Sequence, residues 1–578
     1  MGHSETGLGS HWPRRRILQL ATGIGVGAVF GRALSTLAAD GSAVTEKMIR
    51  EAEWISGASF TEQERKLMLD NVNELVESYA SLREVPLDNG VAPAVSFHPG
   101  GEGGHAGQRP VRPIDTTAPA RPSSDEDVAF APVTELSAWI RNRTISSTEL
   151  TRLYLDRLKR LDGELHAVIT LTEELALAQA ERADRELSAG RYRGPLHGIP
   201  WGAKDLLAVP GFPTTWGAKP YERQVRPELA TVAARLADAG AVLVAKLTLG
   251  ALAWGDVWFG GTTKNPWNTE QGSSGSSAGP AAATAAGLVG FSIGSETWGS
   301  IVSPCTRCGA TGLRPTFGRV SRYGAMALSW SMDKLGPLTR SVEDCALVFD
   351  AIHGPDGLDP TVVDRPFGWP LKRDPRTLRV GYVKQMFDED RGAEVEDEEF
   401  KKRLEAWRTL DLETLETLRQ MGLQLVEIEL PATYPVTDLS FILTAEASTA
   451  FDDLTRSGRD DELVRQIENA WPNVFRQGQT IPAVEYLRAN RIRTLVMQEM
   501  SNALSDVDLY VCPSFGGDNL LLTNLTGHPC VVLPNGFLDG TPTSITFNGH
   551  LYRETELLAV AHAYQQATGF HLRRPRLG

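Results

Sequence analysis

One stretch of the chain restricts the possible folds more than any other. Between Gly272 and Ser295 lie 24 consecutive residues without a charge, GSSGSSAGPAAATAAGLVGFSIGS, most of them glycine, serine or alanine. The length would fit a membrane span, but large apolar side chains are too sparse for one. The pattern predicts a buried helix that packs through small side chains and is entered through a Gly/Ser loop. That loop is where we expect the reacting groups.

Short apolar segments alternate with amphipathic helical stretches through most of the remaining chain. A sheet buried by helices has this pattern, so the sequence predicts an α/β fold class, with the main domain at residues 127–578. Charged, helical residues 386–500 are expected to form a peripheral helical layer. The segments predicted as strands are AVIT, GIPWGA, AVLVAKL, LRVGYV and LYVCPS.

The first 39 residues have the composition of an export signal. Arg14, Arg15 and Arg16 precede the apolar run ILQLATGIGVGAVFG, which is followed by small residues up to Ala38 and Ala39. A basic region, a short apolar region and a small-residue region are the three parts of a secretory signal. The arginines resemble a twin-arginine signal, which predicts export to the periplasm. The alternative is a structural helix that carries a chance run of arginines.

Two further segments separate this signal from the main domain. Residues 40–86 predict a helical arm, and residues 87–126 are rich in proline and glycine, which favours a linker. Removing residues 1–39, which carry a net charge of +3, would change the formal net charge from −14 to −17. Such a charge repels phosphate backbones and anionic lipid headgroups, so we expect neither nucleic acid nor a membrane as partner.

The uncharged stretch and its neighbours supply candidates for nucleophilic catalysis. A serine hydrolase needs a hydroxyl, a base and donors for the oxyanion. Ser276 and Ser300 are candidate hydroxyls, and Lys204 can act as a base if burial lowers its pKa. Residues 275–279 also fit the G-x-S-x-G elbow, although no hydrophobic strand precedes them. Cys305 and Cys308 form an isolated C-x-x-C, which favours buried thiols over a metal site.

Several of these motifs together resemble one known family. The run SSGSSAGPAAATAAGLVGFSIGSETWGSIVSPCTRCGATGLRPTFGRVSRYG resembles the signature of the amidase signature family. The segment LHGIPWGAKDLLAVPG is similar to the family's stretch around its lysine, and the resemblance extends over roughly residues 130–570. It implies a twisted mixed β-sheet core covered by helices on both sides. It also implies an enzyme that needs no cofactor or metal, takes a small-molecule amide and can form a homodimer.

The resemblance also implies a role for individual residues. Family members place a cis-peptide serine 24 positions before the nucleophile, which makes Ser276 the proton relay and Ser300 the nucleophile. Lys204 matches the catalytic lysine. Ser277 and Glu296 would support the site, Glu296 being one methylene longer than the usual acid. The implied oxyanion hole consists of the N–H groups of Thr297, Trp298, Gly299 and Ser300.

These residues predict an exported amidase that works through an acyl-enzyme. One alternative is the glutaminase-like subunit of a tRNA-dependent amidotransferase, which shares the same core. Another is a non-catalytic binding protein that has kept the fold. The substrate cannot be deduced from these residues, and by analogy between folds we expect contacts from residues 254–259, 326–332 and 515–524.

Overall fold

The computed structural model describes residues 43–87, 91–95, 119–389 and 397–577. The predicted export signal and most of the predicted linker lie outside these residues. The chain divides into two compact units, Met1–Ser78 and Tyr79–Gly578. The predicted domain boundaries stay predictions. None of the described helices is both long enough and apolar enough to cross a lipid bilayer.

The first unit is built on helix α1 (Glu46–Ser56) and the beginning of helix α2 (Glu62–Glu84). The side chain of Thr45 caps α1, and Gly57 ends it with φ of 66°. Thr61 and Glu64 form a reciprocal capping box at the start of α2, since each accepts the other's backbone N–H. A small apolar cluster fills the space beneath them, comprising Val44, Ile49, Phe60, Met68 and Val72.

The second unit contains a mixed sheet of eleven strands. Its spatial order is β1-β3-β2-β8-β10-β9-β14-β15-β13-β11-β12. The strands are β1 (Val168–Leu171), β2 (Pro200–Lys204), β3 (Val242–Leu247), β8 (Phe291–Glu296), β9 (Thr311–Arg314), β10 (Lys334–Thr339), β11 (Arg379–Tyr382), β12 (Gln424–Glu427), β13 (Leu509–Pro513), β14 (Cys530–Leu538) and β15 (Thr541–Gly549). Two small hairpins pair β4 (Val257–Trp258) with β5 (Gly261–Thr262), and β6 (Lys264–Asn265) with β7 (Asn268–Gly272).

Helices surround this sheet, and the predicted α/β class is confirmed. They are α3 (Asp125–Phe130), α4 (Val133–Arg141), α5 (Ser147–Leu165), α6 (Glu173–Ser188), α7 (Thr231–Asp238), α8 (Ala278–Ala285), α9 (Val302–Cys308), α10 (Val342–Ile352), α11 (Lys384–Asp388), α12 (Glu398–Gln420), α13 (Phe441–Ala450), α14 (Asp452–Arg456), α15 (Trp471–Gly478), α16 (Ala483–Ala503), α17 (Asn519–Thr526) and α18 (Glu554–Thr568). Each of the five segments predicted as strands contributes a strand to the sheet, β1, β2, β3, β11 and β13.

The uncharged stretch differs from its prediction in one respect. Its helix, α8, is fully buried but only eight residues long, and the stretch ends in strand β8. Gly287 adopts φ of 63° just after the helix, a conformation that stops helical propagation. The run FSI that follows has aromatic and β-branched side chains, which favour a strand. At Gly294 a Cβ would lie 2.6 Å from Ser277 Oγ, so the small residue lets loop and strand pack closely.

A second difference lies in the charged region 386–500. Its described residues are mostly helical, and they also include β12, which pairs in parallel with β11 at the edge of the sheet. The strand is only four residues long, QLVE, too short for an alternating pattern to stand out in the sequence.

The position of the site follows from three adjacent strands, β3, β2 and β8. Strand β2 pairs in parallel with both β3 and β8, and all three are buried along their length. Parallel strands bring their carboxyl ends to the same edge of a sheet. Lys204 at the end of β2 therefore lies beside the end of β8, where Glu296 begins the turn that leads to Ser300.

Candidate active site

Lys204 lies at the carboxyl end of β2 and is completely buried. Its Nζ lies 2.8 Å from the hydroxyl oxygen of Ser276, 2.9 Å from that of Ser295 and 3.1 Å from that of Ser277. Burial lowers the pKa of Lys204 well below its ordinary value of 10.5, while the charges of Asp333 and Glu296 oppose that shift. Burial among hydroxyls favours the neutral form of a lysine, and in that form the amine can accept a proton.

The Gly/Ser loop brings the first serines to this lysine. The peptide bond between Gly275 and Ser276 is cis, and Ser276 is almost fully buried. Ser277 donates its hydroxyl to the carbonyl of Ser295 at 3.0 Å and accepts the Ser295 N–H at 3.2 Å. Its own backbone N–H donates to the carbonyl of Ser300 at 3.1 Å. The loop therefore contacts both the end of β8 and the turn that carries Ser300.

The turn after β8 presents a row of backbone donors. Gly299 adopts φ of 84°, which favours glycine, and the carbonyl of Gly299 accepts the N–H of Ser303 at 2.8 Å. Within the described part of the chain, the N–H groups of Trp298, Gly299 and Ser300 donate to no other protein atom. Unpaired N–H groups beside a hydroxyl are the arrangement an oxyanion hole requires.

A buried carboxylate fixes the shape of this turn. Glu296 accepts the backbone N–H groups of Ile301 at 2.8 Å and Val302 at 3.0 Å. Its carboxylate therefore binds the start of α9, although the side chain is one methylene longer than the acid expected from the family. Its other oxygen accepts from Arg314 at 2.6 Å and from the side-chain amide of Asn524 at 2.9 Å. Burial alone would raise the pKa of Glu296, but Arg314 and these hydrogen bonds lower it to about 2.

A second carboxylate joins the turn to a neighbouring loop. Asp333 accepts the hydroxyl of Thr297 at 2.6 Å and the backbone N–H groups of Leu328 at 2.8 Å and Ser329 at 2.9 Å. The loop is also held from its other side by Glu446, which accepts the hydroxyl of Ser329 at 2.5 Å. Residues 328–333 are thereby fixed against the candidate oxyanion turn.

The structure thus brings Lys204, Ser276, Ser277 and Glu296 into one network with the turn that contains Ser300. Sequence reasoning missed Ser295, Asp333 and Arg314. Ser295 reaches Lys204 because its strand pairs with the lysine strand, and the sequence analysis did not predict that strand. For Asp333 and Arg314, no local pattern indicates that chain segments distant in sequence meet at this turn.

Beside this network lies a cavity of about 300 Å³. Two of its lining residues, Ser295 and Thr297, belong to the site. Most of the others come from residues 322–335 and 358–361. Of the three loops expected to contact substrate, 326–332 lines the cavity. Trp298 does not line it, and this residue is 44% exposed.

Comparison with known proteins now identifies the family. The amidase family profile matches residues 149–521. The chain belongs to the amidase signature family. Among curated relatives, a glutamyl-tRNA(Gln) amidotransferase subunit of Moorella thermoacetica is 34% identical over 77% of this chain and 98% of that protein.

Solved structures of amidase signature enzymes have the same architecture. The peptide amidase of Stenotrophomonas maltophilia is 29% identical and matches with a TM-score of 0.67, over 77% of this chain and 98% of its own. A bacterial aryl acylamidase of the amidase signature family matches with a TM-score of 0.66 at 21% identity, over 77% and 97%, which shows the fold alone. As an amidase signature member, the chain is an enzyme that acts on carbon–nitrogen amide bonds.

Three further residues of this amidase family member, His197, Cys305 and Cys308, are buried within the fold. His197 is buried, and its Nε2 lies 2.9 Å from the carbonyl oxygen of Ala183. Cys305 and Cys308 are free and buried, and burial raises the pKa of both thiols. Thiols in that state are poor nucleophiles and poor metal ligands, which fits the prediction of buried thiols.

Proposed function

We propose that this chain is an exported serine amidase that hydrolyses a carboxylic amide to an acid and ammonia or an amine. One observation carries the proposal. A buried lysine, whose pKa burial holds far below its ordinary range, contacts the hydroxyl of Ser276 at 2.8 Å. Its hydrogen-bond partners among the described residues are hydroxyl and carbonyl oxygens and include no carboxylate.

The proposed reaction uses this lysine as a proton acceptor. Lys204 takes a proton through Ser276 from the hydroxyl of Ser300, whose oxygen then forms a bond to the amide carbonyl carbon. Backbone N–H groups of residues 297–300 stabilise the resulting oxyanion. The carbon–nitrogen bond breaks as the relay returns the proton to the leaving nitrogen. Water then cleaves the acyl-enzyme by the same route and regenerates Ser300.

A second candidate function is supported by the curated relatives. The first of them are components of a glutamyl-tRNA(Gln) amidotransferase, at 32–35% identity. On this alternative the chain would release ammonia from glutamine for a partner enzyme. The candidate export signal and the formal charge of −17 without residues 1–39 argue against a tRNA-bound complex.

The test is amide hydrolysis by the full chain and three variants. The panel contains aliphatic and aryl amides, peptide C-terminal amides and glutamine, and the readout is released ammonia or amine. Ser300→Ala should lose at least about 10⁴-fold in kcat/KM, because the nucleophile is removed. Ser276→Ala should also lose activity, because the hydroxyl that relays the proton is removed. Ser303→Ala is the matched control, a serine three residues away that lies outside the proposed relay, and should retain activity.

The outcomes separate the candidate functions. Hydrolysis of many amides that disappears in Ser300→Ala supports the amidase, whereas activity on glutamine alone supports the amidotransferase component. If a fluorophosphonate fails to label Ser300 in the folded chain and no amide is hydrolysed, the non-catalytic binding protein is the better description. Light scattering of the same preparation tests the proposed homodimer.

Export is a separate part of the proposal, supported by the sequence of residues 1–39. We expect the full chain, produced in a bacterium with a twin-arginine pathway, to collect in the periplasm. Replacing Arg14, Arg15 and Arg16 with lysine should keep it in the cytoplasm, because a twin-arginine signal requires its arginines. Equal periplasmic amounts of both proteins would contradict the twin-arginine route.

A further inference from the structure

The cavity beside the reacting network has a mostly apolar wall. Its lining includes the aliphatic and sulfur-containing side chains of Leu206, Met326, Leu328, Leu335 and Leu358. Its volume of about 300 Å³ is at the lower end of the range for small-molecule sites, enough for one compact substituent. Because Ser295 contacts Lys204 and Thr297 belongs to the candidate oxyanion turn, a group in this cavity would lie beside the reacting bond.

The opening of the cavity is apolar as well. Tyr323, Trp330 and Leu358 line it and are 39%, 48% and 56% exposed. Single exposed apolar side chains are common, but three around one cavity next to a reactive site mark a surface for an apolar ligand. Tyrosine and tryptophan also supply large contact areas with few rotatable bonds.

Two charged side chains of the wall, Arg322 and Asp359, already form hydrogen bonds and an ion pair within the protein. Arg322 forms an ion pair with Asp359 at 3.1 Å, and its two terminal nitrogens donate to the carbonyl of Trp330 at 2.7 Å and the hydroxyl of Thr361 at 2.9 Å. The remaining Asp359 oxygen accepts the N–H and hydroxyl of Thr361. Both are largely buried, with side chains 15% and 5% exposed.

Asp333, the third charged residue of the wall, is also occupied. Both of its oxygens accept hydrogen bonds from the turn and the loop that it joins. A ligand with an ammonium or carboxylate group would have to break one of these contacts and leave a buried charge without its partner. The wall therefore offers apolar surface and no free charge.

From these observations we infer that the cavity binds an uncharged, apolar substituent of the amide substrate, such as an alkyl or phenyl group. This inference rests on the proposed amidase function and narrows its substrate class. The substituent is attached either to the carbonyl carbon or to the leaving nitrogen, since both flank the reacting bond. Glutamine, whose acyl chain ends in an ammonium and a carboxylate, does not match this wall.

The experiment compares substrates that differ only in the relevant group. One series, acetamide, hexanamide and 4-phenylbutanamide, varies the acyl side, and a second, N-methyl, N-butyl and N-benzyl acetamide, varies the leaving group. Glutamine serves as the charged comparison. We expect kcat/KM to rise about tenfold or more along one of the two series, with glutamine near the value of acetamide.

Variants connect that preference to the cavity. Ala327 lines the wall outside the proposed relay, and Ala327→Leu should fill part of the space. We expect it to lower kcat/KM about tenfold for the longest preferred amide and to leave acetamide within twofold. Ala178→Leu, at an exposed site on helix α6, is the matched control and should change neither. Trp330→Ala should weaken binding of the longest amide through KM.

The results distinguish this inference from the proposed function on which it rests. Ser300-dependent hydrolysis in which glutamine is the best substrate, or in which Ala327→Leu affects all amides equally, overturns the inference and leaves the amidase proposal standing. Absence of any Ser300-dependent hydrolysis overturns both. A rise along the acyl series places the apolar group on the carbonyl side, and a rise along the second series places it on the nitrogen side.

Discussion

Two buried lysines on neighbouring strands have opposite surroundings. Lys204 on β2 is surrounded by hydroxyls, whereas Lys246 on β3 lies 2.6 Å from the carboxylate of Asp205, and all three side chains are completely buried. Burial lowers the pKa of Lys246 and raises that of Asp205, and their mutual attraction opposes both shifts. The attraction between Lys246 and Asp205 favours the charged form of both groups, whereas the hydrogen-bond partners of Lys204 include no carboxylate.

The difference shows that burial alone does not make a lysine reactive. On two strands of the same sheet, one completely buried lysine is the proposed proton acceptor and the other is half of an ion pair. The nearest oxygen decides between them, because a carboxylate stabilises the ammonium and a hydroxyl does so far less. Variants at the two positions should therefore change different properties.

The largest effect is expected at Lys204. Lys204→Met should lower kcat/KM by about 10³-fold, because the proposed general base is lost, while the melting temperature changes much less than in Lys246→Met. Steady-state kinetics and calorimetry on the same preparations test this. Retention of more than a tenth of the wild-type activity would remove Lys204 from the proposed mechanism.

The opposite outcome is expected at Lys246. Lys246→Met leaves Asp205 buried without its partner, so the free energy of unfolding should fall by about 3–5 kcal/mol. Denaturant unfolding measures the change. The double variant Lys246→Met/Asp205→Leu should recover most of the loss, since it removes both charges. An equal loss in the single and double variants would show that the ion pair is not the cause.

A second buried ion pair, between Glu296 and Arg314, extends the comparison to low pH. The pKa of Glu296 is about 2 in the folded chain and 4.5 ordinarily, so its contribution to stability is complete above pH 4.5 and disappears as the pH falls towards 2. The contribution is about 3 kcal/mol. The unfolding free energy of Glu296→Gln, measured from pH 5 to pH 3, should depend less steeply on pH than that of the wild type.

The decrease of activity at low pH tests the protonation state of Lys204. The neutral form is the proposed active one, so activity should persist well below pH 10.5 and fall about tenfold per unit once the pH drops below the lowered pKa. The measurement is kcat/KM against pH, within the range where circular dichroism shows a folded chain. Activity that appears only near pH 10 would mean that the lysine is charged at neutral pH.

A third buried lysine should give the smallest effect. Among the described residues, Lys334 Nζ has no hydrogen-bond partner, and burial, with Arg314 nearby, lowers its pKa well below its ordinary value. Lys334→Met removes this unsatisfied group, so we expect stability to rise by up to about 1 kcal/mol and kcat/KM to stay within threefold. A loss of stability, seen in denaturant unfolding, would indicate a partner such as a bound water.

Much of the fold and of the site followed from the sequence, for identifiable reasons. Strands such as β2 and β3 are apolar except for one lysine each, and the Gly/Ser loop stands out because it lacks charge. The length of α8 was overestimated, because small residues are compatible with helix and strand alike until packing decides. Strand β12 was missed because it is short and lies at an edge.

The site was predictable where its residues belong to local motifs and not where distant segments meet. Lys204, Ser276 and Ser300 each occur in a recognisable run, and the structure brings the first two into contact. Asp333 and Arg314 reach the same turn from other strands and loops, and Asn524 comes from a helix 228 residues away from Glu296. Contacts of that range depend on the packed sheet, which no local pattern encodes.

The hydrogen bond between Glu296 and Asn524 has a consequence for the newly made chain. Synthesis proceeds from the amino end, so the lysine and both serines emerge long before residue 524, at roughly nine-tenths of the chain length. Until that amide arrives, the carboxylate that shapes the turn lacks one of its donors. A ribosome-bound or prematurely ended polypeptide should therefore be inert towards amides, and catalysis would begin only with near-complete translation.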